Sequence, residues 1–387
     1  MRDVAVVGGG PAGLSAAKRC AEAGLDVVVL EEHARIGQPT HCTGIVSLET
    51  AALAKIPDDL ILKRLARARL TSPGEERCEV EWDREGSEQI LVIDRAAFDR
   101  GLAEAAAAAG AAIETGAHVD EIATGAGGVE LRVGPRTVRA RACVLACGVS
   151  YRFQRQLGLG LPGKLVHTAQ IEAEAVASDV VELYLGRDIA PDGFLWAVPV
   201  RRDGRDGLKV GVLARGDAGA HLERFLARPA VRARLLTTPG MPVRRLLPLQ
   251  PIAKTYAHRL LVVGDAGGFT KPTTGGGIFY GLLTASLATE TLIDGFHHGR
   301  FDEAFLGRYE TRWQAELGQE LHVAGWLRQL LAKCADSEID RIIRAAASDP
   351  VQGIIRRTAR FNRHRDVILA LLAEPGIASL LFRSLFR

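Results

Sequence analysis

The sequence has no long apolar run, no large excess of either charge and no CxxC pair of cysteines. The apolar segment 367–382 is interrupted by Glu374 and Pro375, so it is too short to span a bilayer. With 49 basic and 46 acidic residues the net charge is only +3, and no nucleic-acid-binding motif accompanies it. A nucleic-acid partner is therefore not expected. The six cysteines form no CxxC pair, so no metal site is predicted, and free thiols in a reducing compartment fit best.

The composition is that of a globular protein, with 47% hydrophobic and 25% charged residues. A first apolar strand beginning at residue 4 leaves no room for a signal peptide, so a cytoplasmic location is expected. Residues 351–387 carry seven arginines against two acids and end in the apolar stretch LLFRSLFR. This end of the chain is a candidate for peripheral contact with an anionic membrane, and the alternative is a helix that docks on the fold.

Hydrophobic periodicity divides the chain into recognisable elements. Residues 3–7 predict a buried strand, 11–24 a helix and 26–31 a second strand, which together open a βαβ unit. Further along, the pattern predicts a strand and helix over 93–110, short strands over 111–147, a strand-rich stretch over 165–250 with one helix near 217–227, and helices after 301.

This order predicts an α/β protein with a Rossmann-type nucleotide-binding domain, an inserted mixed β-sheet domain and a helical C-terminal region. The nucleotide-binding domain is expected to be discontinuous, formed by residues 1–160 and 245–300. Residues 161–244 would form the inserted substrate-binding sheet, and residues 301–387 the helical region. A chain of 387 residues is long enough for this division.

The first βαβ unit contains a G-x-G-x-x-G pattern at Gly8, Gly10 and Gly13. In this pattern the first glycine permits a tight turn, the second lets a pyrophosphate approach the backbone, and the third lets the helix pack on the strand. Glu31 follows eighteen residues after Gly13, at the end of the second strand, where a carboxylate can accept hydrogen bonds from an adenosine ribose. An acid here disfavours the 2'-phosphate of NADP. The alternative is a glycine-rich turn that binds nothing.

Residues 260–283, with the sequence LLVVGDAGGFTKPTTGGGIFYGLL, distinguish an FAD-binding protein from an NAD-binding one. Asp265 would accept a hydrogen bond from the ribityl chain of FAD. The amides of Gly276, Gly277 and Ile278, at a helix N-terminus, would face the flavin N1 and O2 edge, which is negative in the reduced state. A plain NAD dehydrogenase has no need of this second site. The alternative is a glycine-rich helix that packs closely on a sheet.

Three further stretches support a family resemblance. They are IDRAAFD (93–99), QPTHCTGIVS (38–47) and PDGFLWAVP (191–199). With the two glycine-rich stretches, they make residues 1–300 resemble the para-hydroxybenzoate-hydroxylase-like flavoproteins and, more narrowly, the geranylgeranyl reductase family. The last stretch departs from the family pattern, because Phe194 stands where tyrosine is usual and Val198 where phenylalanine is usual.

The glycine patterns and the resemblance together predict a set of FAD contacts, with Cys42 placed beside the flavin ring and Phe194 and Trp196 in the substrate wall. Cys42, Tyr280 and a bound water are the candidate proton donors. Each assignment has a structural alternative, such as a helix ion pair for Arg95 or a core position for Val119. The predicted cofactor contacts are Gly8, Gly10, Ala12, Gly13, Glu31, Glu32, Cys42, Thr43, Gly44, Arg95, Val119, Gly148, Asp265, Pro272, Gly275, Gly276, Gly277 and Ile278.

The resemblance implies an FAD-dependent oxidoreductase that transfers hydride from reduced flavin N5 to an isoprenoid carbon–carbon double bond. The substrate would be a small hydrophobic molecule of geranylgeranyl type. The only dinucleotide fingerprint is assigned to FAD, so an external donor, either NAD(P)H, ferredoxin or a quinol, would reduce the flavin.

Two alternatives are weighed against this function. One is a flavin monooxygenase or halogenase, although Lys55 and Lys63 lack the context of the catalytic lysine of halogenases. The other is a flavoprotein without its own catalysis, or one that helps another protein mature.

Overall fold

The structure is a computed structural model that describes residues 1–81 and 90–383, with side chains described to residue 380. In chain order, its strands are β1 (Arg2–Val7), β2 (Val27–Glu31), β3 (Ile45–Ser47), β4 (Ile61–Leu65), β5 (Arg67–Thr71), β6 (Arg77–Glu81), β7 (Ile90–Ile93), β8 (Ala112–Thr115), β9 (Glu121–Gly125), β10 (Gly128–Val133), β11 (Arg136–Leu145), β12 (Leu165–Glu174), β13 (Val180–Tyr184), β14 (Phe194–Arg202), β15 (Arg205–Ala214), β16 (Val243–Pro248), β17 (Tyr256–Ala257) and β18 (Leu260–Val262). Its α-helices are α1 (Pro11–Glu22), α2 (Leu48–Ala54), α3 (Arg95–Ala108), α4 (Arg152–Gln156), α5 (Ala218–Leu226), α6 (Pro229–Arg232), α7 (Ile278–His298), α8 (Glu303–Trp313), α9 (Gln319–Leu331), α10 (Asp336–Ala346), α11 (Asp349–Thr358), α12 (Arg365–Leu372) and α13 (Pro375–Arg383).

The chain forms two compact units. Unit 1 comprises Met1–Thr40, Arg95–Leu165 and Pro248–Gln319, and unit 2 comprises His41–Asp94, Val166–Leu247 and Glu320–Arg387. The sequence pattern assigns residues 41–94 to the nucleotide-binding domain and 301–387 to a region of their own. The structure groups 41–94 with unit 2 because β5 and β6 extend the sheet of the inserted segment, where β5 pairs in parallel with β13.

Unit 1 is built on an eight-stranded sheet with the order β17-β18-β11-β1-β2-β8, to which β10 and β9 add an antiparallel extension of β11. The pairs β18–β11, β11–β1, β1–β2 and β2–β8 are all parallel. The register sets Val7 opposite Leu30 and Leu145, and Leu145 opposite Val262. The carboxyl ends of four parallel strands are therefore level with one another. This sheet confirms the predicted α/β fold.

The opening βαβ unit follows from local sequence. α1 begins after Gly10 with Pro11 at its first turn, where the missing N–H of proline costs nothing. Its buried face consists of small and branched residues that suit close packing on a sheet: Gly13, Leu14, Ala16, Ala17, Cys20 and Ala21. β2 is buried at every position, as expected for a parallel strand covered on both faces.

Unit 2 contains a seven-stranded sheet, β16-β12-β15-β14-β13-β5-β6, and a three-stranded sheet, β3-β7-β4. α5, which the sequence predicted near 217–227, packs Leu222 and Phe225 into a core with Val210 and Val212 of β15. A second core joins Val198 and Val200 of β14 to residues of β4 and β7. The predicted mixed sheet is confirmed.

Within the described residues, none of the helices combines the length and apolarity needed to cross a membrane. In the same part of the chain, no group of three or more histidine, cysteine or acidic side chains is arranged to hold a metal ion. All six cysteines are free thiols. The last residues of the predicted membrane-contact stretch, 384–387, lie outside the described chain.

Candidate functional site

The predicted nucleotide-binding residues of unit 1 meet at one edge of its sheet. β1 lies between β2 and β11, so the strand order reverses at β1 and opens a crevice at the carboxyl ends of the strands. Gly8 follows β1, Glu31 ends β2, Gly148 follows β11, and Asp265 follows β18. Because these strand ends are in register, the four segments converge on the crevice.

The three glycines of the fingerprint have different surroundings. Gly8 has φ +109°, and a Cβ there would lie 2.3 Å from the carbonyl oxygen of Ala146. At Gly13 a Cβ would lie 2.1 Å from the carbonyl oxygen of Gly8. Gly10, by contrast, has nothing within 4 Å of the place a Cβ would take. The protein itself does not need glycine at this second position of the pattern, so the open space suits a ligand that approaches the backbone.

Glu31 is held firmly in place at the end of β2. Its carboxylate accepts hydrogen bonds from the backbone N–H of Gly9 at 2.6 Å and of His33 at 2.9 Å, and contacts His33 Nδ1 at 2.5 Å. A carboxylate has about four acceptor positions, so it can still accept a hydrogen bond from a ribose. The neighbouring Glu32 is exposed and pairs with His118 Nδ1 at 3.0 Å.

Asp265 lies against the N-terminus of α7. The preceding residue, Gly264, is close to Ala12, since a Cβ at Gly264 would lie 2.9 Å from the Ala12 Cβ. A Cβ at Gly277, the N-cap of α7, would lie 2.8 Å from Asp265 Oδ1. Burial raises the pKa of Asp265 to about 6, and the charge of Arg95 opposes this shift. Asp265, the predicted acceptor for the ribityl chain, therefore lies beside the first turn of α7.

The loop before α7 presents backbone rather than side chains. Gly275 has φ +74°, in the left-handed region that favours glycine, and its N–H donates to the Lys271 carbonyl at 2.8 Å. Pro272 is buried, whereas Gly276 is exposed. In the described structure no side chain caps the helix at Gly277, so no capping side chain competes for the first-turn amides of this 21-residue helix.

Three other predicted contacts also lie in unit 1. Arg95 forms an ion pair with Asp99 at 3.0 Å, one helical turn away, in which both side chains are about nine-tenths buried. Val119 is a core residue, and its carbonyl accepts a hydrogen bond from the Arg152 guanidinium. Gly148 has φ +61° after β11. The structure therefore shows for Arg95 and Val119 the contacts that the alternative interpretations expect, and their cofactor roles stay predictions.

The Cys42 loop belongs to unit 2, where a lysine that sequence reasoning missed holds it. Cys42 is half-buried, and its sulfur accepts the Gly44 N–H at 3.3 Å. Thr43 Oγ1 donates to Gln170 Oε1 at 2.6 Å, while its carbonyl accepts from Lys209 Nζ at 2.9 Å. The signal available in the sequence was a single lysine inside the apolar strand GLKVGVLA.

The predicted substrate wall is also in unit 2. Phe194 and Trp196 lie two residues apart on β14, with ring centroids separated by 5.8 Å. The indole of Trp196 lies over Gly211 of β15, where a Cβ would lie 2.3 Å from the ring. Its nitrogen is buried without a hydrogen-bond partner among the described residues. Tyr280, the other predicted proton donor, is in unit 1 and fully buried on α7.

The arrangement in unit 1 fits FAD. Open space at Gly10 suits a pyrophosphate, the carboxylate of Glu31 suits a ribose, and the helix N-terminus beside Asp265 suits the polar edge of a flavin. Two of these features lie on loops more than 200 residues apart in the sequence, and the parallel sheet brings them to one edge.

Comparison with known proteins supports the same cofactor. Residues 2–184 match the model of the pyridine nucleotide-disulphide oxidoreductase family. A digeranylgeranylglycerophospholipid reductase 2 from Methanothermobacter thermautotrophicus is 31% identical, over 91% of this chain and 93% of the relative. The chain belongs to the geranylgeranyl reductase family of FAD-dependent oxidoreductases.

Two more similarities extend over nearly the whole length of this geranylgeranyl reductase family member. A digeranylgeranylglycerophospholipid reductase from Methanothrix thermoacetophila is 29% identical, over 93% of this chain and 96% of the relative. The crystal structure of a geranylgeranyl bacteriochlorophyll reductase-like protein from Thermoplasma acidophilum superposes with a TM-score of 0.86 at 22% identity, over 99% of each chain. The protein is an enzyme, and FAD is its cofactor.

Proposed function

We propose that this enzyme reduces the isolated carbon–carbon double bonds of geranylgeranyl chains carried by a glycerophospholipid. The observation that carries the proposal is the 31% identity to a digeranylgeranylglycerophospholipid reductase over 91% of the chain, which includes segments of both units. The substrate is therefore assigned from a similarity that includes the substrate wall and not from the nucleotide-binding unit alone.

FAD, when bound and reduced, supplies the hydride for such a reduction. The chain supplies binding and electrostatics. Gly10 leaves room for the pyrophosphate, Glu31 accepts the ribose hydroxyls, and Asp265 accepts from the ribityl chain. The N-terminus of α7, with the amides of Gly276 to Ile278, favours negative charge at the flavin edge because helix amides there have no partner within the helix.

The wall formed by Phe194 and Trp196 is suited to a hydrocarbon. Leu183 of β13 pairs with Trp196 in the sheet, so an apolar side chain adjoins the indole. An apolar surface with aromatic side chains holds an isoprenoid chain mainly by burial and offers few competing polar contacts. We therefore assign the Phe194–Trp196 end of this face of β14 to the lipid chain, since Val198 and Val200 further along the strand pack against β4 and β7.

An isolated alkene needs a proton as well as a hydride, and we assign the proton donor to Cys42. Its thiol is partly accessible and lies on a loop fixed by polar contacts. Tyr280 is the second candidate, but its side chain is fully enclosed on α7. Replacing Cys42 by serine or alanine should slow reduction of the double bond without preventing FAD binding, which absorbance of the bound flavin would report.

A reductant must return electrons to the flavin. We propose an external donor, either NAD(P)H, ferredoxin or a quinol, because the G-x-G-x-x-G fingerprint at Gly8 to Gly13 is assigned to FAD. Anaerobic mixing of the oxidised enzyme with each donor in turn, followed by loss of flavin absorbance, would identify it.

We also propose peripheral membrane contact through the C-terminal helices. Arg356, Arg357 and Arg360 are exposed near the end of α11, and Leu369 of α12 is half exposed. Basic and apolar side chains together favour an anionic lipid surface. Sedimentation with vesicles of anionic and of neutral phospholipid tests this, and equal binding to both would contradict it.

The central experiment is anaerobic. The purified enzyme is reduced with dithionite, a digeranylgeranyl glycerophospholipid is added, and flavin reoxidation is followed together with product mass. We expect reoxidation coupled to the gain of two hydrogen atoms for each double bond reduced. A flavin that stays reduced until oxygen enters, with oxygen or halide found in the product, would instead establish the monooxygenase or halogenase alternative.

A further inference from the structure

Lys209 is a buried charged side chain in the middle of an apolar strand. It is only 3% exposed, and every residue of β15 from Gly207 to Ala214 is buried. Its neighbours Leu208 and Val210 belong to the core that packs under α5. Removing an ammonium from water opposes folding, and an apolar residue would stabilise such a strand more. The lysine therefore needs an explanation other than stability.

The ammonium is directed at the Cys42 loop. Lys209 Nζ donates to the Thr43 carbonyl at 2.9 Å and lies 3.9 Å from Glu172 Oε2. Lys209 is opposite Glu172 in the β15–β12 pair. Gln170 precedes Glu172 by two residues on β12, so the two side chains face the same side of the sheet. Since Gln170 also accepts from Thr43 Oγ1, two adjacent strands hold Thr43 from its backbone and its side chain.

The charges around Lys209 form a compact set. Glu172 on β12 also accepts from Arg202 of β14 at 3.3 Å, and Arg202 reaches Asp94, just after β7, at 2.5 Å. Burial lowers the pKa of Lys209, and the carboxylate of Glu172 opposes that shift, as do Cys42 and Asp94, while Arg202 adds to it. Cations and anions thus alternate from Lys209 through Glu172 and Arg202 to Asp94.

We propose that Lys209 is a positioning residue, whose contact with the Thr43 carbonyl fixes the conformation of the Cys42–Gly44 loop. A donor of fixed position is required because Gly44, with φ +79°, gives the loop little intrinsic preference for one conformation. The inference rests on the proposed function only in assigning this loop to the reaction. The contact itself does not depend on FAD or on the lipid.

Hydrogen exchange of the FAD-free enzyme tests the contact directly. In a Lys209→Met variant, peptides covering residues 41–46 should exchange on the order of tenfold faster, the change expected when one hydrogen bond of ordinary strength is lost. Exchange in β12, β14 and β15 should stay within twofold. Lys63→Met is the matched control, since Lys63 is also largely buried and its ion-pair partners, Asp179 at 2.8 Å and Asp206 at 4.0 Å, lie outside the loop.

The outcomes separate the possibilities. Uniformly faster exchange through unit 2 would show that Lys209 is only structural, and unchanged exchange of the loop would overturn the proposal. If the lipid is a substrate, Lys209→Met should lower kcat at least tenfold while KM changes less than twofold. A wild-type enzyme that does not reduce the lipid contradicts the proposed function and leaves the exchange result to judge Lys209 alone.

Discussion

Gly8 and Gly10 look alike in the fingerprint, but the fold itself requires glycine at position 8 and leaves position 10 open. Gly8 adopts φ +109° and faces the Ala146 carbonyl, so the fold itself excludes a side chain there. Gly10 has φ −82°, which any residue adopts, and its surroundings are open. We therefore propose that glycine is needed at Gly10 for the ligand, because in this pattern a pyrophosphate approaches the backbone at this point.

We expect Gly10→Ala to leave thermal unfolding of the FAD-free enzyme unchanged and to weaken FAD binding by about tenfold or more, about 1.4 kcal/mol. The methyl group meets no protein atom but enters the space assigned to the pyrophosphate. Gly8→Ala is the contrasting variant and should lower stability by about 1–3 kcal/mol, since it forces a strained backbone. Circular dichroism and flavin fluorescence titration measure the two effects. Wild-type FAD affinity in Gly10→Ala would contradict the assignment.

The raised pKa of Asp265 predicts that the free energy of unfolding falls as pH rises. Burial raises its pKa from 3.8 to about 6, so the folded state binds this proton more tightly than the unfolded state does. The contribution of Asp265 to the free energy of unfolding is therefore retained at low pH and decreases as pH rises from about 4 to 6. Above pH 6 the protein folds with a charged carboxylate that burial disfavours.

Asp265→Asn should therefore stabilise the FAD-free enzyme at pH 7, by at most about 3 kcal/mol, and give little gain at pH 4. The same variant should bind FAD more weakly, because the carboxylate is the proposed acceptor for the ribityl chain. Urea unfolding at several pH values measures the first effect. The control is Asp59→Asn, which makes the same substitution at an exposed position. A destabilised Asp265→Asn at pH 7 would refute this account.

At the scale of elements, the sequence predicts what short-range patterns determine. β1, α1 and β2 lie where glycine spacing and apolar runs placed them, and α5 lies within one residue of its predicted bounds. The placement of residues 41–94 could not be predicted, because β5 joins the large sheet by pairing with β13, more than 100 residues later. Such long-range parallel pairing leaves no local signature in one sequence.

Lys209 was missed for the same reason. Its strand was predicted correctly, but its partner Thr43 is 166 positions away, so nothing nearby indicates what the ammonium contacts. The Cys42 loop was predicted only through a family resemblance. The observation in the sequence that could have drawn attention to Lys209 is its charge at the centre of an otherwise apolar strand.

Gly211 of β15 allows the proposed substrate wall to be tested. Gly211 pairs with Trp196, and the indole occupies the space above it. Gly211→Ala should displace the ring, cost about 1–3 kcal/mol of stability and raise KM for the geranylgeranyl lipid. Gly325→Ala is the control, since Gly325 is in α9 with open space around it, and alanine there should be neutral or slightly stabilising. An unchanged KM in Gly211→Ala would remove Trp196 from the wall.

At the scale of the whole molecule, the C-terminal helices are part of unit 2 and not an appendage. Asp340 of α10 accepts from Ser72 Oγ at 2.6 Å and from the Gly74 N–H at 2.7 Å. Ile343 packs with Cys78 and Val80 of β6 in one buried cluster. Since residues 61–81 and 336–346 are held together by both polar and apolar contacts, we expect neither segment to be stable without the other.

A chain ending at residue 335 tests this integration through Cys78. In the full chain this thiol is 2% exposed, and burial raises its pKa, so it should react slowly with a disulfide reagent such as dithionitrobenzoate. Removal of α10 takes away Ile343 and uncovers the thiol, so the truncated chain should modify Cys78 at least tenfold faster and unfold at a lower temperature. Cys78→Ser in both chains identifies the thiol counted. Equal reactivity of Cys78 in the two chains would show that α10 does not protect this edge of the sheet.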